Sequence, residues 1–272
     1  MTLKKNKIEN QLINDFNKGF KNLGIKGSKN LYVTSNLVAL GKLRIKKEKK
    51  LDIIFKSLIH SMGSDFSIFS PAATMNLCNT SKIFDLEKTP SFQMGPLAEH
   101  IRLKESIRSI HPYWSICGVG KYSNLLNNVS AHAYGVGSPW SIMLDLDTLQ
   151  VNLGIHPSKA VTLIHHIETI VGVPYRYNKE FSHKIKIKNK IFKGKFYLSA
   201  RFKKIKILKK KKLNEHFFQE LKKRNKIKYE ISNSGLEMWS FKMKDFYDVA
   251  IEMFKQDIFT YLEYPPLLKL DI

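Results

Sequence analysis

Acidic residues are scarce in this chain: 23 Asp and Glu stand against 46 Lys and Arg in 272 residues, a formal charge of +23. Such a balance draws anions and repels polycations. Cysteine is nearly absent. Cys78 and Cys117 are too few for a disulfide framework, and neither has a Cys-x-x-Cys companion for a metal, so both read as small buried fillers. Long apolar runs are missing too, none approaching the roughly 20 residues of a membrane span. The opening M-T-L-K-K-N-K-I-E-N has no apolar core behind its lysines. These gaps argue against a stapled secreted domain, a metal protein and a membrane partner, and predict a cytoplasmic protein. What is present suits a folded globule, since 43% of residues are hydrophobic and 11% aromatic. At this length one large α/β domain, or a domain with an appendage, can bury a sizeable core.

The positive charge has three readings. Nucleic acid is not favoured, because the lysines have few aromatic or arginine partners for stacking or base readout. A lysine-biased composition would spread solvated lysines over any fold. An anionic cosubstrate, such as coenzyme A with its phosphates, is the third.

Along the chain, Ile8, Leu12, Ile13, Phe16 and Phe20 keep helical spacing over residues 7–22, and the Gly24–Gly27 region ends that helix. Leu31 to Thr34 reads as a buried strand, followed by a turn where Ser35 and backbone N–H groups can meet a phosphate at a helix N-terminus. A helix over 45–61, a strand at Phe66–Phe69 and an irregular loop over 72–92 come next. The pattern then predicts a helix through Leu97 and Ile101, a strand over Trp114–Val119 and another over Val151–Leu153. Strands alternating with helices indicate a layered α/β/α sandwich with a mixed or largely parallel central sheet, whose sites gather at the carboxyl ends of strands. After Pro174 lysine and apolar residues alternate with period two as far as Ile205, which predicts a lysine-rich β-hairpin turning in N-K-I-F-K-G-K. A short basic helix over 213–224, a strand at Met238–Phe241 and a final helix over 244–261 complete the chain. We read 1–178 as the main catalytic region, with 179–272, hairpin and terminal helices, packed on the same domain.

The densest chemistry lies between Gly135 and Glu168. A glycine turn and a strand lead to a helix carrying Thr162, His165 and Glu168 at three-residue intervals, which places them on one face. A histidine between a hydroxyl and a carboxylate suits a base with its orienter. On its own, however, a His-x-x-Glu on a helix is more often a structural hydrogen bond.

Several segments, in order, settle that choice by likeness. V-T-S-N-L-V-A-L-G at 33–41, T-P-S-F-Q-M-G-P-L-A-E at 89–99, S-I-H-P-Y-W-S at 109–115, Y-G-V-G-S-P at 134–139, L-G-I at 153–155 and T-L-I-H-H-I-E at 162–168 resemble the aminoglycoside 3-N-acetyltransferase family. The closing F-K-Q-D-I-F-T-Y-L at 254–262 does so as well. The resemblance implies acetyl transfer from acetyl-CoA to an amine acceptor by direct attack, with no metal. It implies His165 as general base and Glu168 as its carboxylate partner. His166 is expected to be structural, and Thr162 either touches the acetyl group or caps the helix. Ser35, Leu40, Gly41 and Ser91 match segments that hold the coenzyme, and His111 and Ser115 match one bordering the acceptor's cleft. For His111 a buried, backbone-bonded role is the alternative.

Two departures bear on the acceptor: Trp114 stands where the family often has histidine, and Val161 where asparagine often precedes the threonine. With a +23 balance, the chain is expected to take an amino sugar less cationic than an antibiotic, such as a nucleotide-linked one, as a monomer or homodimer. An acyl carrier protein as donor, and a non-catalytic protein whose basic surface binds nucleic acid or an acidic partner, are the rival readings.

Overall fold

The computed structural model describes residues 2–202 and 214–263. The end of the predicted strand pattern, Lys203 to Ile205, and Leu213 of the predicted basic helix lie outside them. The central element is β1 (Asn30–Ser35), where Leu31 and Val33 point to one side and Tyr32 to the other, all buried. Such two-sided burial belongs to a strand covered by helices on both faces. β1 pairs in parallel with β2 (Ser67–Pro71) and with β6 (Leu149–Leu153). Antiparallel strands extend the sheet outward on each side. Beyond β2 lie β5 (Ile116–Gly120) and the short β4 (Ile107–Arg108); beyond β6 lie β10 (Glu237–Lys242) and β9 (Ile227–Ile231). The sheet is therefore mixed, with three parallel strands at its centre.

Two helical layers follow from the alternation. On the Leu31 and Val33 face pack α1 (Thr2–Asn22), α2 (Lys47–Met62) and α3 (Pro96–Arg102), through Phe16, Phe20, Ile54, Leu58, Leu97 and Ile101. On the Tyr32 face pack α4 (Pro139–Asp145), α5 (Leu163–Val171), α6 (Glu215–Lys223) and α7 (Met243–Gln256), through Trp140, Ile164, Ile167, Phe217 and Phe246. This is the α/β/α sandwich expected. A second sheet joins β3 (Phe84–Asp85) to the long ribbon of β7 (Arg176–Ile187) and β8 (Lys190–Arg201). Its inner face buries Ile185 and Phe196 against Leu77, Phe84 and Tyr113.

Several elements depart from the sequence reading, β3 inside the expected loop and β4 among them. α4 has only seven residues, which buries Trp140 and Met143 at i and i+3 but is too short to show a period. β9, Ile-Lys-Tyr-Glu-Ile at the sheet edge, alternates apolar and charged residues with period two, a strand signal too short to stand out beside the basic helix before it. α7 stops at Gln256, with extended backbone at Asp257, and the chain turns under the sandwich to bury Tyr261 and Leu262.

Candidate active site

β1 leads through α2 to β2 on one side, while its other neighbour is β6, so the strand order reverses beside the carboxyl end of β1. Open α/β sheets bind ligands in the crevice at such a switch point. Here lies a cavity of 570 Å³ whose wall includes Ser35, Leu40, Gly41, Lys47, Met94 and Ile155. Three of the residues expected at the coenzyme thus share one space. The sequence suggested a helix N-terminus directly after Ser35. Instead a 3-10 turn at Val38–Lys42 intervenes, and the wall's helix N-terminus is that of α2.

The lining suits an anionic cosubstrate. Ser35 Oγ is buried without a hydrogen-bond partner in the protein, so it is free to bond a ligand. Lys50 is spent on the Leu40 and Leu43 carbonyls at 2.8 and 3.3 Å, whereas Lys47 is exposed with no ion pair among the described residues. Gly95, at φ +87, lets the second loop press against β1, since a Cβ there would sit 3.1 Å from the Ser35 carbonyl oxygen. Gly154, at φ +69, does the same from β6: any Cβ would overlap the Asn36 carbonyl oxygen.

Ser91 falls elsewhere. Its N–H and Oγ–H donate to Glu99 Oε2 at 3.0 and 2.7 Å, tying the loop to α3, and it is not part of the cavity wall. Burial alone would raise the Glu99 carboxyl. Its bonds with Arg102 and Ser91 outweigh that and bring it to about 2.

On α5, His165 Nδ1 lies 2.7 Å from Glu168 Oε2. Glu168 is 0% exposed, while the His165 side chain keeps 27% of its surface open. The ring is therefore not sealed in, although it stands outside the wall of the Ser35 cavity. Arg176, the first residue of β7, places Nε 2.8 Å from the same Oε2 and Nη2 3.0 Å from His165 Nδ1. Nδ1 cannot serve both neighbours: it either donates to the carboxylate or accepts from the guanidinium. A lone pair facing a carboxylate at 2.7 Å would be repelled, so the geometry favours a proton on Nδ1, with Nε2 as the nitrogen turned away from the pair. Glu168 is ionised for the same reasons. Burial would raise its carboxyl, but the His165 bond and the Arg176 charge bring it below the usual range. Thr162 occupies the N-cap of α5 without a side-chain cap bond, and its carbonyl accepts from the His165 N–H at 3.0 Å.

His166, one position on and about 100° around the helix, faces a different neighbourhood. It is 3% exposed, and its Nδ1 accepts from the Gly135 N–H at 3.2 Å and meets Ser138 Oγ at 3.4 Å, which holds the glycine turn. His111 is likewise buried, with Nε2 donating to the Tyr197 carbonyl and Nδ1 accepting from the Tyr113 and Trp114 N–H groups. Ser115 Oγ donates to the Ala72 carbonyl and accepts from Arg108 Nε. Neither His111 nor Ser115 has a polar atom left for an acceptor, so their expected place on the cleft wall is corrected to a structural one. Polar residues in a fully buried segment are retained because backbone groups there need partners.

Burial pushes His111 and His166 down to about 4. In the unfolded chain such rings take up protons near pH 6.5, whereas the folded protein refuses them until about pH 4. Stability is therefore expected to fall as pH drops through this window, each ring contributing at most about 3 kcal/mol. Calorimetric midpoints between about pH 7 and about pH 4.5 check this, and a flat profile would contradict it.

Sequence reasoning missed Arg176, Tyr134 and Tyr261. The two tyrosines flank the His165 ring edge-on, with centroids at 5.7 and 6.2 Å. It also missed the buried amides of β6. Gln150 Nε2 donates to the Ala160 carbonyl at 3.1 Å and Asn152 Nδ2 to Thr34 Oγ1 at 2.8 Å, which fixes the loop leading into α5. One signal was available for Arg176: only six of the 46 basic residues are arginine. In so lysine-rich a chain, an arginine marks a place where its planar fork matters. Arg102 and Arg108 are the two that the fold buries, and Arg176 is half-buried.

Among the described residues no cluster of three or more His, Cys, Asp or Glu is placed to hold a metal ion, and no helix is long and apolar enough to cross a membrane. Comparison with solved structures finds the same fold in proteins of low identity. AAC-VIa bound to sisomicin superposes with a TM-score of 0.75 at 17% identity, covering 90% of this chain and 97% of that one. AAC-IIIb in binary complex with CoASH gives 0.74 at 15%, over 93% and 98%. The YokD protein from Bacillus subtilis gives 0.73 at 18%, over 91% and 94%. A search of curated proteins matched none. The sequence model of the aminoglycoside 3-N-acetyltransferases matches residues 33–255, from the middle of β1 to the end of α7. The chain thus belongs to the aminoglycoside 3-N-acetyltransferase family and is an acetyl-CoA-dependent N-acetyltransferase.

Proposed function

We propose that this enzyme acetylates a primary amine of an amino sugar by direct transfer, with His165 as the base. The observation that carries the reading is the 2.7 Å contact of a partly open imidazole with a fully buried carboxylate. Such a pair holds one ring nitrogen in place and leaves the other to the substrate. The acceptor nitrogen attacks the thioester carbonyl carbon as Nε2 takes its proton. The C–S bond then breaks, and the imidazolium returns the proton to the departing thiolate. Glu168 stabilises the imidazolium that forms between these steps.

The coenzyme's phosphates fit the cavity beside Ser35, Gly41 and Lys47, where the N-terminus of α2 adds its N–H groups. Lys47→Glu is expected to raise the KM for acetyl-CoA about tenfold with little change in kcat, since it reverses a charge against an anion. Steady-state kinetics with acetyl-CoA varied checks the split.

For the acceptor we favour an amino sugar less cationic than an antibiotic, or an anionic one, such as one carried on a nucleotide diphosphate. Glu168, the carboxylate beside the base, is paired with His165 and Arg176 and offers nothing to a polycation. Thiol release from acetyl-CoA, measured against nucleotide-linked amino sugars and kanamycin-like antibiotics, tests this. Turnover with the antibiotics alone would overturn it.

A further inference from the structure

Glu168 is 0% exposed, and a carboxylate removed from water is costly unless a cation faces it. If the only such cation were His165, the carboxylate would draw the ring towards its charged form, which holds no lone pair for the acceptor. A second cation is present. Arg176 sets Nε 2.8 Å from Oε2 with its side chain 9% exposed, and Nη1 donates to the Ser199 carbonyl at 3.0 Å, so β8 fixes the aim of the guanidinium. We infer that Arg176 is a positioning residue for acetyl transfer: its guanidinium balances the buried Glu168 carboxylate, so that His165 rests uncharged with its proton on Nδ1. The inference rests on the reading of His165 as base.

The choice of arginine fits this duty. A guanidinium does not lose its charge in a protein, and its fork reaches the carboxylate and a backbone carbonyl at once. The other titratable groups around the pair are phenols: Tyr134 from the glycine turn, Tyr175 next to Arg176, and Tyr261 beyond α7, with Arg201 acting on Tyr261. Burial pushes all three tyrosines up, so they stay neutral where the enzyme works. Arg176 is therefore the permanent cation in contact with Glu168 among the described residues.

The test compares the pH dependence of kcat/KM in the wild type, Arg176→Met and Arg176→Lys. Without the guanidinium the carboxylate draws a proton onto the ring, and the acid limb is expected to move up by about one unit, as loss of a charge within contact distance does. Activity well below the limb then falls about tenfold, near neutrality only about threefold, and recovers in alkali. Arg176→Lys restores a cation and is expected to bring the limb most of the way back. A merely structural role would lower the rate at every pH alike, so an unmoved limb in Arg176→Met overturns the inference. If that variant does not fold, nitrogen NMR of the wild-type His165 ring decides. A proton on Nδ1 supports the inference; a proton on Nε2, with Arg176 donating to Nδ1, overturns it. The two readings fail separately. Unchanged turnover in His165→Ala removes the base and this inference with it, whereas lost turnover there with an unmoved limb in Arg176→Met removes this inference alone.

Discussion

Replacing His165 with alanine is expected to lower kcat for acetyl transfer by about 10²- to 10⁴-fold, the span that a positioned general base supplies. The KM for acetyl-CoA should change little, because His165 stands outside the wall of the Ser35 cavity. Stability should also change little. The ring is partly open, and its one strong bond is to a carboxylate that keeps Arg176. Thiol release under saturating acetyl-CoA measures the first expectation and thermal unfolding the second. The neighbouring His166 makes a sharp control. It sits one position along the helix but is buried against the glycine turn, so His166→Ala should act first on the melting temperature. If His165→Ala retained full turnover, proton removal would have to come from another group.

Gly154→Ala is expected to carry the largest structural effect of a single methyl group. At φ +69 any L side chain is strained, by roughly 1 kcal/mol. The added Cβ would also overlap the Asn36 carbonyl oxygen and lie 2.7 Å from Leu236 Cδ1. Asn36 cannot move aside cheaply, since its N–H donates to the Leu153 carbonyl at 2.8 Å across the parallel pair. The sum should reach about 3 kcal/mol or more, as backbone strain and overpacking add. Because Asn36 also lines the cavity proposed for the coenzyme, the KM for acetyl-CoA should rise in any protein that folds. Gly172 isolates the strain. It caps α5 at φ +73 with nothing within 4 Å of an added Cβ, so Gly172→Ala should lose only about 1 kcal/mol. Denaturant unfolding of the two variants compares them directly, and equal losses would show that the close approach at Asn36 contributes nothing.

The central strands were legible because burial on both faces leaves short apolar runs, as in Leu31–Val33 and Ile68–Phe69, bounded by polar turns. The helices with four or more turns were legible by their period. α4 was too short to show a period, and β9 did not stand out although Ile227, Tyr229 and Ile231 alternate with charged residues. In the site, the His165 and Glu168 spacing could be read from the helix alone. The fate of Ser91, His111 and Ser115 could not, because a local motif looks the same whether its polar atoms face a ligand or a distant backbone. Ser91 is taken by Glu99, His111 by Tyr197 and Ser115 by Ala72 and Arg108; the His111–Tyr197 pairing spans 86 positions and the Ser115–Ala72 pairing 43.

By itself the sequence determined the layers, the order of the main strands and the helix face that bears the imidazole and carboxylate, since these depend on neighbours within two turns. Tertiary structure decided which of two adjacent histidines is open and which is locked. It also brought Arg176 from the root of a hairpin onto a carboxylate eight residues earlier. The reason is that ionisation and access depend on what packs against a group from elsewhere in the chain, and helical or strand periodicity carries no information about that.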